Sequence, residues 1–81
     1  MRLFYTERFR LSYAAAPLIV RRAFDRKAAF LLVNLRHPSL HAKKYDEARG
    51  IWQARVTSSW RFYFVIRGDS YVMIDISAHP K

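Results

Sequence analysis

Arg55, Arg61 and His79 are the residues of this chain whose types and spacing could do chemistry. Arg55 lies in IWQARV, Arg61 follows Trp60 in SSWRFYFVIRGD, and His79 closes VMIDISAH. Two guanidinium groups held side by side repel each other unless an anion lies between them. Their planar donor forks match phosphate oxygens in a way that lysine does not. A histidine ring nearby can take or give a proton near neutral pH, as cleavage of an RNA phosphodiester requires of a general acid or base. The competing reading is a solvated strand face, with Asp75 relieving the repulsion and His79 merely exposed.

Other chemistries find little support. Without cysteine there is neither a disulfide framework nor thiolate chemistry. Two glycines, Gly50 and Gly68, cannot make a glycine-rich phosphate loop, and neither GxSxG nor a paired-carboxylate motif occurs. His37 and His41 are four apart, but Pro38 interrupts the helix that would align them. No metal site and no cofactor is expected. Lys43 and Lys44 suit contact with a nucleic-acid backbone or simple solvation. Tyr63 and Tyr71 could stack on bases, or lie half-buried in their strands.

Charge narrows the partners. Fifteen Lys and Arg against six Asp and Glu leave +9 on 81 residues. Such a surplus opposes folding by self-repulsion, and its usual counterparts are nucleic acid, an anionic membrane or an acidic protein. A merely soluble basic domain is the bland alternative. No apolar run approaches the ~20 residues of a membrane span, and MRLFYTERFRL lacks the apolar core of a signal peptide. A soluble, cytoplasmic chain without a membrane partner is therefore expected. The length suits one domain over residues 1–81, and 52% hydrophobic content argues for a packed core rather than disorder.

The elements that must position Arg55, Arg61 and His79 follow from periodicity. RLFY (2–5) reads as a strand added to a sheet edge, and Thr6 as the cap of a helix ending near Ala15. Pro17 ends that helix and opens a second, which runs to about Arg36. Its core stripe is Val20, Phe24, Ala28, Leu31, Leu32 and Leu35. Residues 37–50 form a charged connection in which a short strand near 42–45 is weakly indicated.

Ile51 to His79 then alternates apolar and polar residues over three antiparallel strands. Trp52, Ala54, Val56, Trp60, Phe62, Phe64, Ile66, Val72, Ile74 and Ile76 form one face. Gln53, Arg55, Arg61, Tyr63, Arg67, Tyr71, Asp75, Ser77 and His79 form the other. Matching apolar to apolar demands odd loops, so Thr57–Ser59 and Gly68–Ser70 are read as three-residue turns. Arg55 then faces Arg61, Gln53 faces Tyr63, Tyr63 faces Asp75, Arg61 faces Ser77 and Ile66 faces Val72. Arginines, serine and histidine converge at one end of the polar face.

LRHPSLHAKKYDEARGIWQARV, SSWRFYFVIRGD and VMIDISAH, in that order and spacing, resemble the RelE/ParE superfamily of bacterial toxin–antitoxin toxins. The resemblance spans most of the chain. It implies an α+β fold, with two N-terminal helices packed on one face of a small, mainly antiparallel sheet in the order β-α-α-β-β-β. For the RNA-cleaving branch it implies a metal-independent endoribonuclease acting on mRNA, often on the ribosome. The nucleophile would be the RNA's own 2′-OH, with basic side chains stabilising the phosphorane charge.

Arg61 matches the arginine that contacts the scissile phosphate, and Arg55 one of two alternating basic positions on the second strand. His79 falls at or beside the catalytic position after the last strand. RNA contacts are expected from Gln53, Lys43, Lys44, Tyr63, Arg67 and Ser77, and the protein partner would be a cognate antitoxin. Two departures are visible. Gln53 holds the second basic position, and only Pro80 and Lys81 follow His79 where many relatives carry an aromatic residue. Reduced or absent activity is therefore one alternative, and a ParE-like toxin that binds DNA gyrase without RNA chemistry is another.

Overall fold

Alternation along Trp60–Arg67 does what it predicts. In the computed structural model, which describes residues 1–79, Phe62 and Phe64 are fully buried while Arg61 and Tyr63 lie on the opposite face. The upper bound of the expected domain and the Pro80–Lys81 tail lie outside the described residues.

The chain runs β1 (Arg2–Tyr5), α1 (Glu7–Ala15), α2 (Leu18–Val33), a 3₁₀ turn (Pro38–Leu40), β2 (Lys43–Asp46), β3 (Ile51–Thr57), β4 (Trp60–Arg67) and β5 (Ser70–Ala78). The sheet order is β1-β5-β4-β3-β2, antiparallel except for β1 beside β5. It is an α+β fold, as expected. It gains one strand, β2, which the residues themselves indicate only weakly.

Thr6 caps α1 by accepting a hydrogen bond from the Phe9 N–H at 3.1 Å. α1 continues along β5 beyond the end of β1, and its Ser12 donates to Asp75 at 2.8 Å. Phe9 enters the core, where its ring lies 5.0 Å from Phe24, which in turn meets Phe62 edge-on at 5.1 Å. Pro17 stands at the N-cap of α2 rather than in its first turn. α2 also stops earlier than its spacing predicts, at Val33. Asn34 leaves the helix in an extended conformation, and its side chain accepts from the Arg36 N–H. The buried stripe is therefore Val20, Ala23, Phe24, Ala28 and Leu31; Leu32 is exposed and Leu35 lies beyond the helix.

Both hairpin loops hold two residues, not three. Thr57 pairs with Trp60, and Arg67 with Ser70 around Gly68–Asp69, where Gly68 has φ +57. A positive φ at the first central position suits the primed turns that match strand twist. The odd residue that parity demands is supplied as a bulge instead, by Val56 in β3 and Ile74 in β5. At Val56 this leaves the expected Arg55–Arg61 and Gln53–Tyr63 pairs intact. At Ile74 it reverses the faces that follow in register. Tyr63 faces Asp75 as expected, but Ile66 faces Tyr71 rather than Val72, and Tyr71 and Met73 occupy the core. Tyr71 packs edge-on against Phe64 and is not a base-stacking residue.

Leu40 is wholly buried between α2 and β3 and anchors the segment leading into β2. Leu40→Ala is expected to destabilise the fold by about 2–5 kcal/mol, as large-to-small core substitutions do. Equilibrium urea unfolding measures this, and a change below about 1 kcal/mol would show that the anchor is unimportant.

Candidate functional site

The outer face of the sheet carries two adjoining depressions. The first is a cleft of about 420 Å³ lined by His41, Ala42, Lys43, Gln53, Arg55, Arg61 and His79. Strand register builds it. Lys43 pairs with Gln53, Arg55 with Arg61 and Arg61 with Ser77, so β2, β3 and β4 each present a residue at the same end. His79 follows β5 and is held there by its own N–H, which donates to the Ser59 carbonyl of the β3–β4 turn at 2.6 Å. The expected convergence of Arg55, Arg61 and His79 is found.

Arg61 is fastened from one side. Its Nη1 donates to the carbonyls of Thr57 at 2.7 Å, Trp60 at 3.0 Å and Ser58 at 3.3 Å. No hydrogen bond among the described residues uses its Nη2 or Nε, so those donors remain available to a ligand. Arg55 is half-buried, and its Nε is enclosed without a partner among the described residues. Among the described residues no carboxylate lines the cleft, and none of the four ion pairs involves Lys43, Arg55 or Arg61. Behind this wall, burial and the nearby Arg26 and Arg55 hold the Lys27 ammonium below the ordinary lysine value, while its Nζ donates to the Ser39 carbonyl at 3.0 Å. The cleft is a concentration of positive charge that no side-chain carboxylate of the described residues neutralises. Its make-up is that of an anion receptor with two imidazoles at its rim.

Gln53 is 6% exposed and donates to the Tyr63 hydroxyl at 3.2 Å. It is half wall, half brace, and holds Tyr63 upright between the two depressions. Tyr63→Phe is expected to cost about 1 kcal/mol, because the buried amide loses its partner. Thermal denaturation measures this, and an unchanged midpoint would mean that water serves Gln53 equally well.

The second depression, about 310 Å³, is lined by Arg8, Tyr45, Ile51, Tyr63, Ile74, Asp75 and Ser77. Tyr45 is the bulged residue of β2 and meets Tyr63 edge-on at 5.0 Å. Asp75 is engaged there by Arg8 at 3.1 Å, as well as by Ser12. Tyr63 and Ser77 line this aromatic annex and not the charged cleft, so Ser77 joins the arginines in strand register only.

Two expected RNA contacts lie elsewhere. Lys44 pairs with Trp52 on the helix-side face, its Nζ 5.2 Å from the indole ring, because side chains alternate along β2. Arg67 is exposed at the far end of β4 beside Ser70, six residues from Arg61. That separation is about 20 Å along a strand, so Arg67 takes no part in the cleft. In the sequence His41 is weighed only with His37, as a pair that Pro38 keeps from aligning, and Tyr45 is given no role. The signal for both is β2 itself, since pairing Lys43 with Gln53 brings position 41 level with Arg55. Among the described residues no group of three His, Cys, Asp or Glu could hold a metal ion, and no helix is long and apolar enough to cross a membrane.

Comparison of the fold places it in a recognisable class. A YoeB/ParE toxin from Agrobacterium tumefaciens superposes with a TM-score of 0.82 at 15% identity, over 99% of this chain and 100% of that one. The archaeal RelE–RelB complex from Pyrococcus horikoshii gives 0.80 at 10% identity, covering 99% and 96%. The intact E. coli RelBE toxin–antitoxin complex gives 0.74 at 16%, covering 98% and 95%. No family model and no curated protein matches the sequence. The fold is that of the RelE/ParE superfamily toxins, in agreement with the resemblance drawn from the segments around Arg55, Arg61 and His79.

Proposed function

We propose that the protein is a toxin-type endoribonuclease that cleaves mRNA in the cytoplasm, on the ribosome or off it, and is neutralised by a cognate antitoxin. One observation carries the reading: Lys43, Arg55 and Arg61 converge around a cleft rimmed by imidazoles, with no carboxylate of the described residues among its lining. A binding module needs the positive charge but has no use for titratable groups beside it. In the reaction, Arg55 and the free edge of the Arg61 fork hold the scissile phosphate and stabilise the charge that builds on its oxygens. His79 exchanges a proton with the reacting oxygens. Lys43 holds a neighbouring phosphate, while Tyr45 and Tyr63 offer aromatic surface to a flanking base.

The antitoxin reading rests on the fold class, whose solved examples include complexes with RelB, and on complementarity. The net charge is +9, and Leu11, Ile19 and Val33 expose apolar surface along both helices. An acidic amphipathic segment that folds on binding would match both features.

Gln53, a buried neutral residue at one of the two expected basic positions, keeps open a homologue without cleavage, and a gyrase-binding toxin stands as the second reading. The purified protein should be incubated with an mRNA and, in parallel, with DNA gyrase and relaxed plasmid. New RNA 5′ ends with normal supercoiling support the ribonuclease. Intact RNA with blocked supercoiling replaces it by the second reading.

A further inference from the structure

We infer that His41 is a second catalytic histidine, paired with His79 across the cleft, so that the chain carries a complete acid–base couple. The inference deepens the ribonuclease reading and rests on it. The register sets the geometry. Lys43 pairs with Gln53, which brings position 41 level with Arg55 at the β2 side of the cleft, while His79 stands on the β5 side beside Ser59. The two backbones are three strand spacings apart, or about 14 Å. Arg55 and Arg61 lie between them. Two imidazoles reaching inwards from opposite sides flank a phosphate gripped by those arginines, as in-line displacement requires of groups serving the attacking and leaving oxygens.

The backbone supplies an independent observation. His41 has φ +47 and is the only non-glycine residue with positive φ among the described residues. Left-handed backbone at a residue with a side chain costs about 1–2 kcal/mol and persists only where its surroundings enforce it. Here the enforcement is visible, since the wholly buried Leu40 fixes the chain before His41 and β2 pairing fixes it after Ala42. Glycine would occupy the position without strain. His41 takes this backbone as the C-cap of the 3₁₀ turn, where left-handed residues commonly stand, and from there it lines the cleft. His37, by contrast, is explained by structure alone. Its ring stacks on Phe30 at 4.1 Å, and its Nδ1 accepts from the Ser39 N–H.

The step balances without any other reactant. One imidazole accepts the 2′-OH proton as O2′ bonds to phosphorus. The P–O5′ bond breaks, and the other imidazole, protonated beforehand, gives its proton to the departing O5′. The products are a 2′,3′-cyclic phosphate and a 5′-hydroxyl, and exchange with water resets both rings.

The test compares wild type, His41→Gly and His79→Ala on a short RNA and on the same RNA with sulfur replacing the bridging 5′ oxygen at the cleaved bond. A thiolate leaves without protonation, so loss of the acid is masked on that substrate and loss of the base is not. His41→Gly is expected to cleave ordinary RNA at least ~10²-fold more slowly, with an unchanged or higher melting temperature because the backbone strain is gone. Sulfur substitution should restore one of the two variants and not the other. A wild type that cleaves while His41→Gly cleaves equally fast overturns the pairing but leaves the ribonuclease reading standing. Restoration of both variants, or of neither, also overturns it. A wild type that leaves both RNAs intact removes the ribonuclease reading and the pairing together.

Discussion

Arg61→Ala is expected to lower RNA cleavage by about 10²–10³-fold while leaving the fold intact, the loss typical when an oriented charge-stabilising donor is removed. The reason lies in how the guanidinium is held. Nη1 is bound by three carbonyls of the β3–β4 turn, so the guanidinium is fixed at the cleft wall before any ligand arrives, with its other donors unused among the described residues. Lysine in its place offers a compact ammonium on a flexible stem. The same carbonyls would capture that ammonium, so Arg61→Lys should recover little activity. Removing the side chain should disturb stability by less than about 1 kcal/mol, because the freed carbonyls belong to a turn that water reaches. Single-turnover rates and melting temperatures on the same preparations separate the two effects. A large fall in stability with a normal rate would show that Arg61 is a clamp on the turn and nothing more.

What could be read from the residues, and what could not, divides along a physical line. Parity placed Arg55 opposite Arg61 and Arg61 opposite Ser77, because a one-residue slip would have put arginines into the core. The structure has those pairs. Parity says only that an odd residue is needed, not where the chain will put it. Locating it in the turns gave the right outcome at Val56, which adjoins its turn, and the wrong one beyond Ile74, which does not. Tyr71 and Met73 therefore entered the core unannounced. β2 was obscured for a similar reason. Its four residues carry a bulge at Tyr45, so KKYD never shows a clean alternation. With β2 uncertain, Lys44 could not be assigned a face, and His41 was separated from the cleft it lines. The arginines were legible because they sit on long alternating strands. The rim from β2 was not, because an edge strand of four residues carries too little pattern to fix its own register.

His79→Ala should slow cleavage at least ~10²-fold, the second large effect expected of this site. The backbone N–H of His79, not its ring, makes the bond to Ser59, so truncating the side chain leaves the chain's path in place. The substitution therefore removes the proton-transfer group alone. His79→Gln sharpens the point, since an amide keeps hydrogen-bonding capacity but cannot carry a proton at neutral pH. Both variants should bind an uncleavable 2′-deoxy analogue as tightly as wild type, because affinity comes from Lys43, Arg55 and Arg61, which they leave untouched. Equal binding with lost cleavage places His79 in the chemical step. If His79→Gln instead cleaves at the wild-type rate, its role is to hold the phosphate by hydrogen bonding, and proton transfer must be sought elsewhere on the rim. Weakened binding in step with weakened cleavage would mark the cleft as a receptor whose histidine serves affinity, the behaviour that a gyrase-binding toxin with incidental RNA affinity would show.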